Sequence, residues 1–161
     1  MGCDFAEDTV RRLKGKEKID IVIVNGENSA DGNGITKRSM EQIFSFADVI
    51  TTGNHCFRRK EFTEYYDIKE NLLRPANYPD GVAGHGVCVL DMGAYSFAVV
   101  NLMGTAFMEP LNNPFECIDR LLEDIHTPDI LVDFHAEATS EKKAMGFYLA
   151  GKVSAVIGTH T

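Results

Sequence analysis

The stretch Ile19-Asp-Ile-Val-Ile-Val-Asn-Gly-Glu-Asn28 decides the fold of this chain. Its first six residues are rich in β-branched side chains, which predicts a mostly buried strand. Asn25-Gly-Glu-Asn28 is a polar, turn-prone cluster that follows directly. The sequence therefore places a carboxylate and amides where a buried strand ends.

The same arrangement recurs three times further along the chain. Apolar runs at 48–52, 129–134 and 153–157 lead into Gly53-Asn-His55, His135 and Gly158-Thr-His160. Helical patterns separate the runs, at 5–15, 36–46, 59–66, 114–125 and 140–149, and residues 87–92 and 95–102 form a predicted hairpin around Gly93-Ala94. Strands that alternate with helices predict a layered α/β fold with a mixed, mainly parallel sheet. Because ligand sites in such folds gather beyond the carboxyl ends of the strands, we expect the four polar clusters at one end of one sheet.

Some side chains carry more local expectations. Phe5, Val10 and Leu13 are predicted to face inward from the first helix, and Thr36 and Ser140 are each predicted to cap a later helix. Arg74 and Asn77 lie in a Pro-rich loop, where they either touch a substrate or shape the loop.

Composition excludes several classes of function. The chain has 161 residues and a formal net charge of −8. An acidic balance argues against binding a nucleic-acid polymer or a membrane surface, both of which need clustered basic residues. The apolar runs are too short to span a bilayer. Four cysteines stand apart without a C-x-x-C pair, which is typical of reduced thiols in a cytoplasmic protein.

Taken singly, each polar cluster is also typical of a turn or of a hydrogen-bonded structural histidine. Together they supply three histidines (His55, His135 and His160), the Glu27 carboxylate and the amides of Asn28 and Asn54. Oxygen and imidazole ligands without thiolate suit Mn, Fe, Zn, Co or Ni rather than a structural zinc. A carboxylate can bridge two such ions, as in phosphoesterases that use a metal pair to activate water.

The motifs resemble those of a known family. Gly53-Asn54-His55 is similar to the Gly-Asn-His core of the calcineurin-like metallophosphoesterases. Four further segments resemble the YmdB-type branch, which comprises bacterial phosphodiesterases that hydrolyse 2′,3′-cyclic nucleotides at a di-metal site. These segments are Asn25-Gly-Glu-Asn-Ser-Ala30, Arg74-Pro-Ala-Asn-Tyr-Pro79, Asp133-Phe-His-Ala-Glu-Ala-Thr-Ser-Glu141 and Gly158-Thr-His-Thr161. The resemblance implies a metallophosphoesterase-like sandwich and a small phosphodiester substrate.

It also implies a role for each candidate residue. Glu27 would bridge two divalent transition metals (Fe, Mn or Zn), with Asn54, His135 and His160 on one metal and Asn28 on the other. His55 would face the scissile phosphate and act as general acid.

The chain departs from the family pattern at both ends. Family members open with a strand ending in Gly-Asp and continue as Gly-Thr-His-Thr-His, and both additional ligands serve the metal of Asn28. We therefore expect residues 1–161 to be one partial metallophosphoesterase domain that lacks its first and C-terminal strands and has one incomplete metal site. Open sheet edges then favour a homo-oligomer. The alternative is a catalytically silent fragment that binds one metal or serves as an interaction module.

Overall fold

A computed structural model describes residues 2–161. The described residues form these helices: α1 (Gly2–Lys14), α2 (Lys37–Phe44), α3 (Tyr65–Ile68), α4 (Pro114–Asp124) and α5 (Thr139–Tyr148), with a 3₁₀ turn at Lys60–Phe62. The strands are β1 (Ile23–Asn25), β2 (Val49–Thr51), β3 (Val87–Asp91), β4 (Ser96–Met103), β5 (Ile130–Ala136) and β6 (Ala155–His160). The predicted alternation of strands and helices is confirmed.

The strands of the described residues form two sheets rather than the single sheet that the sequence predicted. β1 and β2 pair in parallel, and the other sheet has the order β3-β4-β5-β6. Within the second sheet, β3 and β4 form the predicted antiparallel hairpin, whereas β4–β5 and β5–β6 are parallel. The mixed, mainly parallel character is therefore confirmed, and the expectation of one sheet is wrong. Apolar runs reveal that strands are buried without revealing which sheet each one joins.

The two sheets stack face to face, with helices outside them. Val49 of β2 packs against Val99 of β4 in a buried cluster between the sheets. The residues directly before and after Val99 in β4 face the opposite side of the sheet, where they lie in a second buried cluster that α4 and α5 cover. On the opposite side, α1 and α2 pack over β1 and β2. The result is a helix–sheet–sheet–helix sandwich in which alternate residues of β4 and β5 face the sheet of β1 and β2.

Three local predictions need correction. Phe5 and Leu13 are exposed rather than inward, because α1 contacts the core through the narrower stripe of Cys3, Ala6 and Val10. Ser140 does not cap α5, because the helix begins at Thr139, one residue earlier. By contrast, Thr36 caps α2 as predicted and accepts a hydrogen bond from the backbone of Ser39.

The Pro-rich loop also has a defined role in the fold. Arg74 is buried and donates to backbone carbonyls of residues 75–84. The Asn77 side chain pairs with both the N–H and the C=O of Met103, at the end of β4. Both residues therefore shape the loop, which decides between the two interpretations that the sequence left open.

Candidate metal centre

The fold brings the predicted polar clusters together at the carboxyl ends of strands from both sheets. Glu27 follows β1, and Asn54 follows β2. His135 and His160 lie at the ends of β5 and β6. His135 shares the face of Leu131, which packs between the sheets, so its imidazole points toward the residues that follow β1 and β2. This alternation explains how two separate sheets supply one site.

Glu27 is a buried carboxylate without hydrogen bonds. Its side chain is 1% exposed. Among residues 2–161, neither of its oxygens has a hydrogen-bond partner. His135 Nε2 lies 2.8 Å from Oε2 and His55 Nδ1 lies 3.1 Å from Oε1, but these short contacts lack hydrogen-bond geometry. A buried charge left in this state is costly unless a cation is bound beside it.

His135 Nε2 lies at the centre of the donor atoms. Besides Glu27 Oε2, it is 3.0 Å from Asn54 Oδ1 and 3.1 Å from His160 Nδ1. One imidazole N–H can serve at most one of these atoms. Ligand atoms that occupy neighbouring positions on a metal ion, each about 2.1 Å from it, are themselves about 3 Å apart. The observed spacings fit this pattern, so these residues can hold a transition-metal ion.

Three of these residues are by themselves close enough together to hold one metal ion: Glu27, His135 and His160. One ligand atom from each lies within 4.8 Å of the others. His160 Nε2 lies 2.8 Å from Glu137 Oε2, whereas Nδ1 is the ring nitrogen that faces His135 Nε2 and the other donor atoms. The backbone of His160 has φ 86°, a left-handed value that is unfavourable for a residue with a Cβ. Strain of this kind is typical of functional sites.

Gly53 provides the space in which Glu27 and His135 meet. A Cβ at residue 53 would lie 1.8 Å from Glu27 Oε2 and 2.3 Å from the His135 ring. Any side chain there would displace at least one donor. The glycine of the Gly-Asn-His motif is thus required by packing around the donor atoms.

His55 and Asn28 lie on the other side of Glu27. His55 Nδ1 is 2.9 Å from Asn28 Oδ1, in addition to its contact with Glu27 Oε1. The His55 side chain is partly exposed. All six predicted site residues therefore come together: three surround His135 Nε2, and His55 lies beside Glu27 Oε1 with Asn28 against its ring.

A cavity of about 780 Å³ opens beside these residues. Asn28, His135 and His160 line its polar end, and Ile43 and Phe46 lie in its apolar part. The cavity therefore reaches the site on the side of Asn28, His135 and His160.

Residues 1–161 match the YmdB-like protein family. The chain belongs to this family. The resemblance seen in the motifs is thus confirmed over the whole length of the chain.

Individual relatives agree with this assignment. The YmdB-like chain is 45% identical over 163 residues to a 2′,3′-cyclic-nucleotide 2′-phosphodiesterase of Bacillus subtilis, covering 99% of this chain and 62% of that protein. A hypothetical protein from Thermus thermophilus superposes with a TM-score of 0.93 at 41% identity, covering 99% of this chain and 63% of the other. A phosphatase from Mycoplasma pneumoniae gives 0.93 at 32% identity, covering 99% and 59%. This chain thus spans about three-fifths of the length of these relatives. The metallophosphoesterase-like fold is confirmed.

Two further features of this YmdB-like chain are the state of one cysteine beside the site and the character of its helices. Cys56 follows His55, and burial raises the pKa of its thiol to about 12. Its Sγ lies 3.5 Å from Tyr78 Oη, to which the thiol donates a weak hydrogen bond. None of the helices in residues 2–161 has the length and apolar character needed to cross a membrane.

Sequence reasoning missed the residues that support the donor atoms. Asp133 and Thr159 are linked to His135 by hydrogen bonds, and Glu137 is linked to His160. One signal was available in the sequence. Asp133 precedes His135 by two residues in a strand, so both side chains lie on the same face.

Proposed function

We propose that this chain supplies the metal-binding core of a phosphodiesterase that hydrolyses 2′,3′-cyclic nucleotides. The observation that carries the proposal is the buried, unsatisfied Glu27 carboxylate beside a convergent set of imidazole and amide donors. The name of the B. subtilis relative supplies the substrate class.

Each donor has a proposed role. Glu27, Asn54, His135 and His160 would hold one metal ion, and Glu27 together with Asn28 would contribute to a second. Bound divalent metals of this kind polarise phosphoryl oxygens and lower the pKa of a bound water toward about 7. Fe, Mn and Zn all suit this set of imidazole, amide and carboxylate ligands.

His55 is the proposed general acid. Its Nδ1 lies 2.9 Å from Asn28 Oδ1, an amide oxygen that accepts a hydrogen bond from Nδ1–H, and 3.1 Å from the Glu27 Oε1 charge. This contact fixes the ring and leaves Nε2–H to protonate the leaving oxygen of the substrate. Imidazole suits this task because its ordinary pKa is close to neutral.

The test is a hydrolysis assay on the purified chain with 2′,3′-cAMP and bis-p-nitrophenyl phosphate. Mn²⁺ or Fe²⁺ is added, and bound metal is measured in parallel. We expect metal-dependent turnover that falls at least about 100-fold in His55→Ala while bound metal is retained. His126→Ala is the matched control, because His126 is an exposed histidine that precedes β5, at the end opposite His135. Failure of the wild-type chain to bind any of these metals would overturn the proposal.

One observation favours a second candidate. On the Oε1 side of Glu27, the described residues place His55 beside the carboxylate and Asn28 beside His55, fewer side chains than surround His135 Nε2. A chain that binds one metal without turnover would therefore act as a metal-binding module. Stoichiometric metal binding without hydrolysis would support this candidate over the phosphodiesterase.

A further inference from the structure

Asp133 is a buried carboxylate that does not reach the donor atoms. It is 4% exposed and lies on β5, two residues before His135. Its Oδ2 accepts hydrogen bonds from Thr51 Oγ1 at 2.5 Å and Asn25 Nδ2 at 3.1 Å. Its Oδ1 accepts one from Thr159 Oγ1 at 2.6 Å. Both oxygens are thus occupied, by donors from β1, β2 and β6.

The Thr159 hydroxyl connects this carboxylate to His135. Its oxygen lies 3.0 Å from His135 Nδ1, and β5 and β6 place these two residues directly opposite each other. A hydroxyl has one proton, and a carboxylate only accepts. Because Thr159 gives its proton to Asp133, its oxygen can only accept a hydrogen bond from His135. His135 Nδ1 must therefore carry a proton.

We propose that Asp133, acting through Thr159, is a positioning residue that fixes the tautomer of His135. With the proton on Nδ1, neutral His135 presents a lone pair on Nε2, the atom that faces Glu27, Asn54 and His160. The chain Asp133–Thr159–His135 thus prepares Nε2 to bind a metal before the metal arrives. This inference rests on the proposed metal site, while the tautomer itself can be measured without metal.

A purely structural role for Asp133 is the competing explanation, since Thr51 and Asn25 tie it to the other sheet. The bonds to the other sheet use Oδ2 of Asp133, whereas the connection through Thr159 to His135 uses Oδ1. Thr159→Val removes the hydroxyl on the Oδ1 side and keeps both bonds to Oδ2. Thr51→Val is the matched control, because it removes a bond between the sheets and leaves the connection to His135 intact.

The experiment combines calorimetric titration of the full chain with Mn²⁺ and ¹⁵N NMR of the His135 ring in metal-free protein. Thr159→Val is expected to weaken Mn²⁺ binding about 10- to 100-fold. Thr159→Ser, which restores the hydroxyl, is expected to bind within about 3-fold of wild type. Thr51→Val is expected to lower the melting temperature while Mn²⁺ binding stays within about 3-fold.

Asp133→Asn gives a second and sharper spectroscopic test. Asn25 Oδ1 lies 3.3 Å from the Glu27 backbone N–H, which fixes Asn25 Nδ2 as a donor toward residue 133. The new amide must then turn its oxygen toward Asn25 and Thr51, so its NH₂ faces Thr159. The Thr159 hydroxyl reverses and donates to His135 Nδ1, which moves the imidazole proton to Nε2.

The NMR spectrum distinguishes failure of this inference from failure of the proposed function. We expect an unprotonated Nε2 in the wild-type protein and a protonated Nε2 in Asp133→Asn. A wild-type His135 protonated on Nε2, or Mn²⁺ binding by Thr159→Val equal to that of wild type, would overturn the inference. If the wild-type chain binds no metal but shows the expected tautomer, the proposed function fails and the tautomer assignment stands.

Discussion

At the scale of single residues, the site depends on the position of one buried carboxylate that accepts no hydrogen bond from the described residues. Glu27 is buried without a hydrogen bond from any of residues 2–161, and the donors of His135, His160 and Asn54 converge beside it. A cation is the simplest way to satisfy such a group. The polar cluster after β1 is therefore more than a turn, which was the alternative that its sequence also allowed.

Gly53→Ala tests how tightly the donor atoms are packed. The added methyl would lie 1.8 Å from Glu27 Oε2, closer than two non-bonded atoms can approach. We expect Mn²⁺ binding to fall at least about 100-fold, because Glu27 or His135 must move away. Titration calorimetry measures the loss. Gly32→Ala is the control, since a Cβ there meets no atom within 4 Å, although its φ of 75° adds some strain to the fold. Metal affinity of Gly53→Ala equal to that of wild type would contradict this description of the site.

At the scale of elements, the sequence predicted the order of helices and strands well and their grouping poorly. Apolar runs and helical periods placed β1, β2, β5 and β6 to within a few residues. Periodicity cannot show which strands hydrogen-bond to each other, so the division into two sheets was missed. The six predicted site residues come together because each cluster follows the end of a strand. Asp133 and Thr159 were overlooked because their role depends on pairing across β5 and β6.

Arg74 stabilises the conformation of the Pro-rich loop that joins the two halves of the sandwich. Its guanidinium donates to the carbonyls of Ala83, Pro75 and Gly84 at 3.2, 2.8 and 2.9 Å. Lysine has a single nitrogen that cannot reach carbonyls on opposite sides of the loop. We expect Arg74→Lys to lower the free energy of unfolding by about 2 kcal/mol, measured by urea denaturation. Arg12→Lys on the exposed face of α1 is the control, and an equal, small effect of both changes would contradict this role.

At the scale of the whole molecule, the two sheets leave strand edges unpaired. Within residues 2–161, β1 hydrogen-bonds only to β2, and β6 only to β5. Unpaired edges next to an apolar cavity favour pairing with another chain. We expect the 161-residue chain to sediment as an oligomer at micromolar concentration. A compact monomer that melts cooperatively would contradict this prediction.

Stability should decline at alkaline pH. Burial raises the pKa of Cys56 from an ordinary 9.0 to about 12 and that of Cys88 to about 11, and it also raises the pKa of Tyr66. The folded chain therefore keeps these protons at pH values where the unfolded chain loses them. This contribution is complete below pH 9 and is lost as pH rises above it, by at most about 1.4 kcal/mol per pH unit for each group.

Urea denaturation between about pH 8 and pH 10.5 measures this dependence. The stability of Cys56→Ala should decline less steeply with pH than that of Cys3→Ala, because Cys56→Ala removes a buried thiol. Cys3→Ala is the control, since Cys3 is only half-buried in the stripe of α1. Equal slopes for the two variants would show that Cys56 does not contribute.

The most direct test of the central claim, that Glu27 is buried for a metal ion, is the melting temperature with and without metal. At a Mn²⁺ concentration of about 100 times Kd, binding should add about 2.7 kcal/mol, or roughly 5–10 °C for a chain of this size. Glu27→Gln should lose most of this shift. In metal-free buffer it should melt above the wild type, because the uncompensated buried charge is gone. If Mn²⁺, Fe²⁺ and Zn²⁺ leave the wild-type melting temperature unchanged, or raise both proteins equally, the claim is wrong.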